Sequence, residues 1–355
     1  MFASGVNSQL HQQSASSAQK LSLVLDLDNT CLHTAERPSD VSLTACADGF
    51  DEHHHLLACG AQTLRVALRP GLTEFLSAAA RVADIYIYTA GGREYAEAVA
   101  ALIDPHQRFF RADQLLSRDD ETLWGSGGGG KDLRNLLPPE RLPHALVVDD
   151  RADIWAGQCD HLVQIEPFYA FASQTRVSAG SFTDHDRSSA PLRRISRIIE
   201  WVHKECFGPA AAADVDVPRL LARERARHLR RVVIEFDSSV DTDTQLALAR
   251  KARAHGAVVV PPRDTAKQRR RGTARSTSHP RPTHIIIRRT ATARLLRHAH
   301  LVREKWLHKR MQYLYPIDES RFTVPSCSRS KVPLTQPLWG ERLLRVAPGG
   351  ERTVA

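Results

Sequence analysis

Two aspartates separated by one residue follow the first strongly apolar segment of this chain. Residues 21–25 read Leu-Ser-Leu-Val-Leu, and the pentapeptide Asp26-Leu-Asp-Asn-Thr comes next. When a turn begins directly after a buried strand, both carboxylates can face one crevice. Such a pair suits phosphoryl transfer, in which one carboxylate attacks phosphorus and the other handles the leaving-group proton. Asp26 is the candidate nucleophile, and Asp28 is the candidate general acid and base.

A second acidic pair, Asp149 and Asp150, follows a later apolar run. A divalent cation would keep the nucleophile ionised and neutralise the incoming phosphate. Hard oxygen ligands of this kind are those that Mg²⁺ prefers. We therefore predict a magnesium site at Asp26 whose ligand shell Asp149 and Asp150 can complete.

Phosphate-binding groups are predicted nearby. Thr89 follows another strand-like run and can donate a hydrogen bond to phosphate, as can free backbone N–H groups in the turn after Asp26. Lys131 can screen charge between the carboxylate and phosphoryl oxygens. Thr89 and Lys131 are therefore the predicted phosphate-binding residues.

The elements that must position these residues alternate between strands and helices. Apolar runs at 21–27, 63–68, 84–89, 145–150 and 161–166 predict strands, and 72–83 and 93–103 predict helices. Residues 35–62 show no strong pattern. Continuous apolar strands between helices predict a parallel sheet covered on both faces, with ligands at the carboxyl ends of the strands. The predicted class is α/β, with a Rossmann-like first domain.

The rest of the chain predicts a second, smaller α/β domain. Strands are expected at 231–236, 257–260 and 283–287, and helices at 196–207, 217–230, 244–255 and 293–300, with a last helix carrying Trp306. The predicted divisions are a disordered leader (1–19), a first domain (20–172), a linker with helical segments (173–228), a second domain (229–325) and a flexible tail (326–355). The Pro-, Arg- and Ser-rich stretch 261–282 is also predicted to be disordered.

The composition of the chain indicates classes of binding partner and a compartment, but it does not identify one partner. Among 355 residues the formal charge is +9, which favours acidic partners such as phosphoproteins, nucleic acid or anionic surfaces. The six cysteines form no CxxC pair, which indicates a reducing compartment. No apolar run has the ~20 residues that a membrane helix needs. We therefore predict no membrane binding. No aromatic residues interleave with the basic runs, so we also predict no sequence-specific nucleic-acid binding.

Several segments together resemble the Fcp/Scp phosphatases of the RNA polymerase II carboxy-terminal domain, within the haloacid-dehalogenase superfamily. The residues are Leu23-Val-Leu-Asp-Leu-Asp-Asn-Thr, Leu68-Arg-Pro-Gly, Ile87-Tyr-Thr-Ala-Gly-Gly-Arg-Glu-Tyr-Ala, Ile103-Asp-Pro, Ser117-Arg-Asp-Asp, Lys131-Asp-Leu and Val148-Asp-Asp-Arg-Ala-Asp-Ile-Trp. The resemblance covers about residues 20–172. It implies that Asp26 is the nucleophile and a metal ligand, and that Asp28 is the general acid and base, whose backbone carbonyl also meets the metal. It further implies a metal ligand at Asp150 with the acidic neighbour Asp149 beside it, and phosphate binding by Thr89 and Lys131.

The resemblance also implies that Arg118 and Asp119 lie near the pocket. Arg93 is predicted either to orient substrate or to pair with a carboxylate, and both readings stay open.

The second domain resembles a BRCT module. This resemblance rests on Gly256-Ala257, Thr283-His284-Ile285, Trp306 and the following Glu319-Ser-Arg-Phe. Phe236-Asp-Ser-Ser lacks the glycine of phosphate-binding BRCT modules. A role in packing or protein contact is therefore favoured over phosphate binding by Ser238 or Ser239.

The order of a phosphatase domain and a BRCT-like domain implies the Fcp type. The implied function is magnesium-dependent dephosphorylation of serine in the carboxy-terminal domain of RNA polymerase II, in the nucleus, with other transcription proteins as partners of the BRCT-like domain. Two alternatives stay open. One is an inactive relative that serves as an interaction or translocase-type module, and the other is a phosphatase for different phosphoproteins or for nucleic-acid ends.

Overall fold

The apolar runs of the amino-terminal part form the strands expected from the sequence, together with others. The computed structural model describes residues 19–36, 54–120, 130–155, 157–171, 189–212, 215–261, 280–288 and 299–323. The strands of this part are β1 (Leu21–Leu25), β2 (Leu32–Glu36), β3 (His54–Cys59), β4 (Gln62–Leu68), β5 (Ala83–Tyr88), β6 (Leu115–Leu116), β7 (Ala145–Asp149) and β8 (Leu162–Gln164).

Five of these strands make one parallel sheet in the order β6-β5-β1-β7-β8. Every residue of β1 and β7 is buried. This burial on both faces explains why these two strands read as continuous apolar runs rather than as alternating ones. The predicted parallel α/β sheet is therefore confirmed, except that the predicted strand 63–68 (β4) belongs to a separate antiparallel sheet.

The strands that come between β1 and the first helix along the chain form a small antiparallel sheet, in the order β2-β4-β3. The sequence predicts β4 but leaves all of β3 and the end of β2 inside the patternless stretch 35–62, so that interpretation was wrong for residues 54–59. The side chains of β3 are half-buried or exposed, with none fully buried. A strand of this kind lacks the apolar alternation by which strands are recognised.

Three helices accompany these sheets: α1 (Leu72–Ala79), α2 (Arg93–Ile103) and α3 (Ala190–Phe207). Helix α2 has the bounds that its periodicity predicts. Helix α3 starts six residues before the predicted 196–207 helix, lies within the predicted linker and contacts α1. Its apolar stripe is buried, at positions spaced as one helical face requires: Leu192, Ile195, Ile198, Ile199 and Val202.

Contacts divide the chain into two units, residues 1–218 and 219–355. The elements of the later part are α4 (Val217–Arg227), β9 (Val233–Phe236), α5 (Thr242–Ala254), β10 (Val258–Val260), β11 (His284–Ile287), β12 (His300–Arg303) and α6 (Glu304–Gln312). The four strands are all parallel, in the order β10-β9-β11-β12. Ile286, Val302 and Trp306 are fully buried in this unit.

Gly256 ends helix α5 as the sequence predicts. Its φ is +90°, and a Cβ there would lie 2.9 Å from the carbonyl oxygen of Ala226. Both the backbone conformation and the space therefore require glycine. Strand β12 was missed, because the sequence interpretation placed His300 at the end of a helix. Residues 293–298 of that predicted helix lie outside the described residues.

Other predictions fall on residues outside the described part. These are the leader except for Gln19, most of the 261–282 stretch, and the tail. Within the described residues, no helix is at once long and apolar enough to cross a bilayer.

Candidate active site

The sheet brings the predicted site residues to one edge. Strands β5, β1 and β7 are parallel neighbours, and their carboxyl ends lead to Thr89, Asp26 and the Asp149-Asp150 pair. The N–H of Asp26 donates to the carbonyl oxygen of Val148 at 3.1 Å, which fixes the start of the turn to the end of β7. The predicted convergence of three strand ends is thus present in the fold.

A tight turn follows Asp26. The carbonyl oxygen of Leu27 accepts hydrogen bonds from the N–H groups of Thr30, Cys31 and Leu32, at 2.8–3.2 Å. Asn29 occupies the left-handed region with a φ of +59°, which asparagine tolerates better than most residues. The N–H of Asn29 donates to Leu32. Of the backbone N–H groups in this turn that were predicted to bind phosphate, those of Leu27 and Asp28 therefore remain as candidates.

Lys131 bridges two carboxylates inside the site. Its Nζ lies 2.6 Å from Oδ1 of Asp26 and 2.8 Å from Oδ2 of Asp149, and the lysine is 2% exposed. Burial alone would lower the pKa of Lys131, but the attraction of Asp26 and Asp149 outweighs it, so the pKa is raised. The rings of Tyr88 and Trp155 lie 5.7 and 5.5 Å from Nζ and add cation–π attraction. Lys131 therefore stays protonated.

Asp26 is buried and feels two opposing influences. Desolvation and, to a smaller extent, the charge of Asp149 raise its pKa, Lys131 lowers it, and the net result is a pKa of about 7. The carboxylate is therefore short of positive charge even with the lysine beside it. An additional cation would hold Asp26 ionised, as nucleophilic attack requires.

The acidic cluster can hold a metal ion. Asp26, Asp149 and Asp150 each offer one oxygen, and these oxygens all lie within 4.8 Å of one another. Three carboxylates beside one lysine leave two negative charges when all are ionised, which matches a divalent cation. Burial also raises the pKa of Asp150, to about 6. The oxygen donors and the charge deficit both fit Mg²⁺.

The oxygens of Asp149 are already occupied by hydrogen-bond donors. Oδ2 accepts from Lys131 and from the indole N–H of Trp155 at 2.9 Å, and Oδ1 accepts from the N–H of Arg151 at 2.8 Å. Asp150 is less engaged: within the described part of the chain, its Oδ1 accepts a long hydrogen bond from the hydroxyl of Thr30, at 3.4 Å. Asp26 and Asp150 are thus better placed as metal ligands, and ligation by Asp149 stays a prediction.

Asp28 is held by two hydroxyl groups that the sequence interpretation did not identify. Tyr95 donates to its Oδ1 at 2.7 Å, and Thr34 donates to the same oxygen at 3.2 Å. Burial and the negative charge of Asp28 raise the pKa of Tyr95 well above its usual range, so the phenol remains a donor. Tyr95 stands within the recognised 87–96 segment, but its partner lies 67 residues away, so nothing in the local pattern could reveal the pairing.

Thr89 is fully buried at the end of β5, and its hydroxyl oxygen accepts from the N–H of Gly91 at 3.0 Å. Its hydroxyl proton is then available to another acceptor, as the predicted phosphate contact requires. That contact remains a prediction.

The remaining predicted residues, Arg93, Arg118 and Asp119, surround the amino end of α2. Asp119 accepts from the N–H of Arg93 at 2.7 Å and so caps the helix from outside it. The guanidinium of Arg93 pairs with Asp120 and donates to the carbonyl oxygen of Leu115. The carboxylate pairing predicted as one alternative for Arg93 is present, and orientation of substrate by Arg93 stays a prediction. Arg118 is more exposed and lies 3.7 Å from Asp119. In the described part of the chain, no hydrogen bond joins these three residues to Asp26 or Lys131.

Comparisons with known proteins agree with this geometry. Residues 21–178 match the family model of the NLI interacting factor-like phosphatases. A phosphatase of the RNA polymerase II C-terminal domain from Caenorhabditis elegans is 28% identical over 261 residues, which cover 68% of this chain and 38% of that protein. The human phosphatase of the same name is 33% identical over 236 residues, covering 59% of this chain and 23% of its own length. The chain therefore spans well under half the length of these relatives.

A solved structure of Fcp1, described as an essential RNA polymerase II CTD phosphatase, has the same fold. It aligns with a TM-score of 0.54 and 21% identity, covering 85% of this chain and 95% of the solved chain. Since 85% of 355 residues exceeds 218, the likeness extends into the second unit. Residues 21–178 of this chain thus match the family model of the NLI interacting factor-like phosphatases, and the fold and the acidic site agree with that match.

Proposed function

We propose that this chain is a metal-dependent protein serine/threonine phosphatase that removes phosphate from the carboxy-terminal domain of RNA polymerase II. The observation that carries the proposal is the buried contact of Asp26 with Lys131, beside Asp150, at the carboxyl edge of the parallel sheet. This contact places a nucleophile, a fixed positive charge and a cation-binding carboxylate together.

The proposed reaction has two steps. A carboxylate oxygen of Asp26 attacks phosphorus, the bond between phosphorus and the serine oxygen breaks, and Asp28 gives its proton to the departing alkoxide. Asp28 then removes a proton from water, which attacks phosphorus and releases phosphate, restoring the Asp26 carboxylate. Lys131 stabilises the charge on the phosphoryl oxygens, and Thr89 donates a hydrogen bond to them.

Magnesium is the proposed cofactor. Asp26 and Asp150 would hold it through side-chain oxygens. The backbone carbonyl oxygen of Asp28 is a further candidate ligand, and the side chain of Asp149 is a secondary one. When bound, the ion supplies positive charge that keeps Asp26 ionised and offsets the charge of the phosphate.

The proposed substrate and location rest on the relatives. The relatives compared above are named as phosphatases of the RNA polymerase II C-terminal domain. A further solved structure, that of the fission yeast enzyme bound to beryllium fluoride, is 20% identical in sequence to this chain. A phosphorylated polymerase tail as substrate implies that this chain acts in the nucleus.

For the second unit we propose a BRCT-like module that serves protein contact. Its four parallel strands, in the order β10-β9-β11-β12, support this assignment. The hydroxyl oxygen of Ser239 accepts from the N–H of Arg288 at 3.1 Å, and the guanidinium of Arg288 is paired with both Asp241 and Glu304. A phosphate at this position would meet an arginine already neutralised by two carboxylates, which favours packing or protein contact.

The proposal is tested by phosphate release from a phosphoserine peptide of the polymerase tail, with the full chain and Mg²⁺. We expect turnover that stops in excess chelator and in Asp26→Asn, whose circular dichroism should match the unmodified protein. A 3′-phosphorylated DNA strand and an unrelated phosphopeptide serve as comparison substrates. Undiminished turnover in chelator, or full activity of Asp26→Asn, contradicts the mechanism. Preference for either comparison substrate contradicts the proposed substrate.

A further inference from the structure

The carboxyl group of Asp28 is oriented by donors that both meet the same oxygen. Tyr95 and Thr34 donate to Oδ1, at 2.7 and 3.2 Å, from helix α2 and strand β2 respectively. Among the described residues, no hydrogen bond reaches Oδ2. An oxygen that accepts two hydroxyl protons is a poor place for a third proton. The hydrogen bonds to Oδ1 therefore make Oδ2 the oxygen that is better placed to exchange a proton with a substrate.

Tyr95 is itself fixed in place by the loop that follows β5. A Cβ on Gly91 would lie 2.4 Å from Cδ1 of Tyr95, so the ring packs directly on the backbone of Gly91. The N–H of Gly91 in turn donates to the hydroxyl oxygen of Thr89. The absence of a side chain at residue 91 thus allows one loop to position both the candidate phosphate donor Thr89 and the ring whose hydroxyl reaches Asp28.

We propose that Tyr95 and Thr34 are positioning residues that hold Asp28 with Oδ2 as its proton-transferring oxygen. This inference rests on the proposed function, because it assigns a cause to the proton transfer that function requires. In the first step the Oδ2 proton passes to the serine oxygen as its bond to phosphorus breaks. In the second, Oδ2 takes a proton from the attacking water. Tyr95 and Thr34 keep their own protons throughout.

This role predicts a dependence on the leaving group that a purely structural role does not. A serine alkoxide is a poor leaving group and needs the proton from Asp28, whereas a nitrophenolate departs without protonation. A loss of Asp28 alignment should therefore slow hydrolysis of a phosphoserine peptide far more than phosphorylation of Asp26 by p-nitrophenyl phosphate.

The experiment compares both substrates in the full chain carrying Tyr95→Phe or Thr34→Val, with Asp28→Asn as the benchmark. Single-turnover rates isolate the first step, so slow hydrolysis of the intermediate does not mask the comparison. For the peptide we expect the rate to fall about tenfold to hundredfold in each variant, a part of the 10²–10⁴ that general acid catalysis supplies. For p-nitrophenyl phosphate it should change by less than about threefold. Tyr86→Phe, whose hydroxyl makes no hydrogen bond among the described residues, is the matched control and should leave both rates unchanged.

The outcomes separate this inference from the proposed function. Equal losses on the two substrates in Tyr95→Phe and Thr34→Val, with selective loss in Asp28→Asn, overturn the positioning role and leave the function standing. Equal losses in Asp28→Asn overturn the proton-transfer role of Asp28 and this inference with it. Selective loss in Thr34→Val supports the inference even if Tyr95→Phe folds poorly.

Discussion

The ammonium nitrogen of Lys131 lies 2.6 Å from Oδ1 of Asp26, although 105 residues separate the two in the chain. The same nitrogen contacts Asp149 at the end of the neighbouring strand. All three side chains are almost completely buried, so solvent screens their interaction little. Lys131 therefore links the ends of two neighbouring strands and also supplies positive charge to the site.

Replacing this lysine should cost stability as well as activity. In Lys131→Met, the buried carboxylates of Asp26 and Asp149 lose their shared partner. Breaking such a buried pair destabilises a protein by about 3–5 kcal/mol. Urea unfolding of the metal-free protein measures this change.

The matched control is Lys20→Met. Lys20 is partly exposed and lies 3.8 Å from Asp84, so its removal should change the free energy of unfolding by less than about 1 kcal/mol. Equal effects of the two substitutions would show that the buried contact has no special role in stability.

The neighbouring aspartates Asp149 and Asp150 should separate into a structural and a metal-binding residue. Asp149→Ala removes the acceptor of Lys131, Trp155 and Arg151, so we expect a loss of about 3 kcal/mol or more without metal. Asp150→Ala should change metal-free stability by about 1 kcal/mol or less, since it loses one long hydrogen bond.

The second half of this prediction concerns magnesium. At about 100 times its dissociation constant, Mg²⁺ should stabilise the unmodified protein by about 2.7 kcal/mol. Asp150→Ala should lose this increment. If Asp149→Ala keeps normal metal-free stability but loses the increment, Asp149 is primarily a ligand and the assignment is reversed.

Magnesium affinity should fall as the pH is lowered. Burial raises the pKa of Asp26 to about 7 and that of Asp150 to about 6, so protons compete with the ion below these values. Above pH 7 both carboxyl groups are ionised and binding is strongest, while acidification through 7 and then 6 weakens it. Calorimetric titration should show affinity at least about tenfold weaker near pH 5.5 than near pH 7.5, with proton release on binding. Affinity that is flat across this range would contradict the assignment of these ligands.

The sequence predicted best what depends on local apolar patterning. Strands β1 and β7 are buried on both faces, and α2 buries Ala96, Val99 and Ile103 on one side, so their elements could be predicted closely. Strand β3 escaped prediction because none of its residues is fully buried, and β12 because it has only four residues, of which two are buried.

The same contrast holds within the site. The strand-end carboxylates could be identified because strand order alone brings them together. The contacts of Tyr95 with Asp28 and of Trp155 with Asp149 depend on how side chains of different elements meet in three dimensions. Spacing along the chain carries no record of those contacts, so only the structure reveals which groups orient each carboxylate.

The proposed mechanism requires that Asp26 becomes covalently phosphorylated. The most direct measurement is acid quenching of the full chain during turnover of a radiolabelled phosphoserine peptide, followed by peptide mapping. With radiolabelled p-nitrophenyl phosphate as the substrate, the variant Asp28→Asn should raise the yield, because nitrophenolate departs without a proton from residue 28 and the variant lacks the group that activates water for the second step. We predict a label that hydroxylamine removes, located on the peptide containing Asp26 and missing in Asp26→Asn. Turnover without any covalent label in Asp28→Asn, or a label retained in Asp26→Asn, would contradict the mechanism.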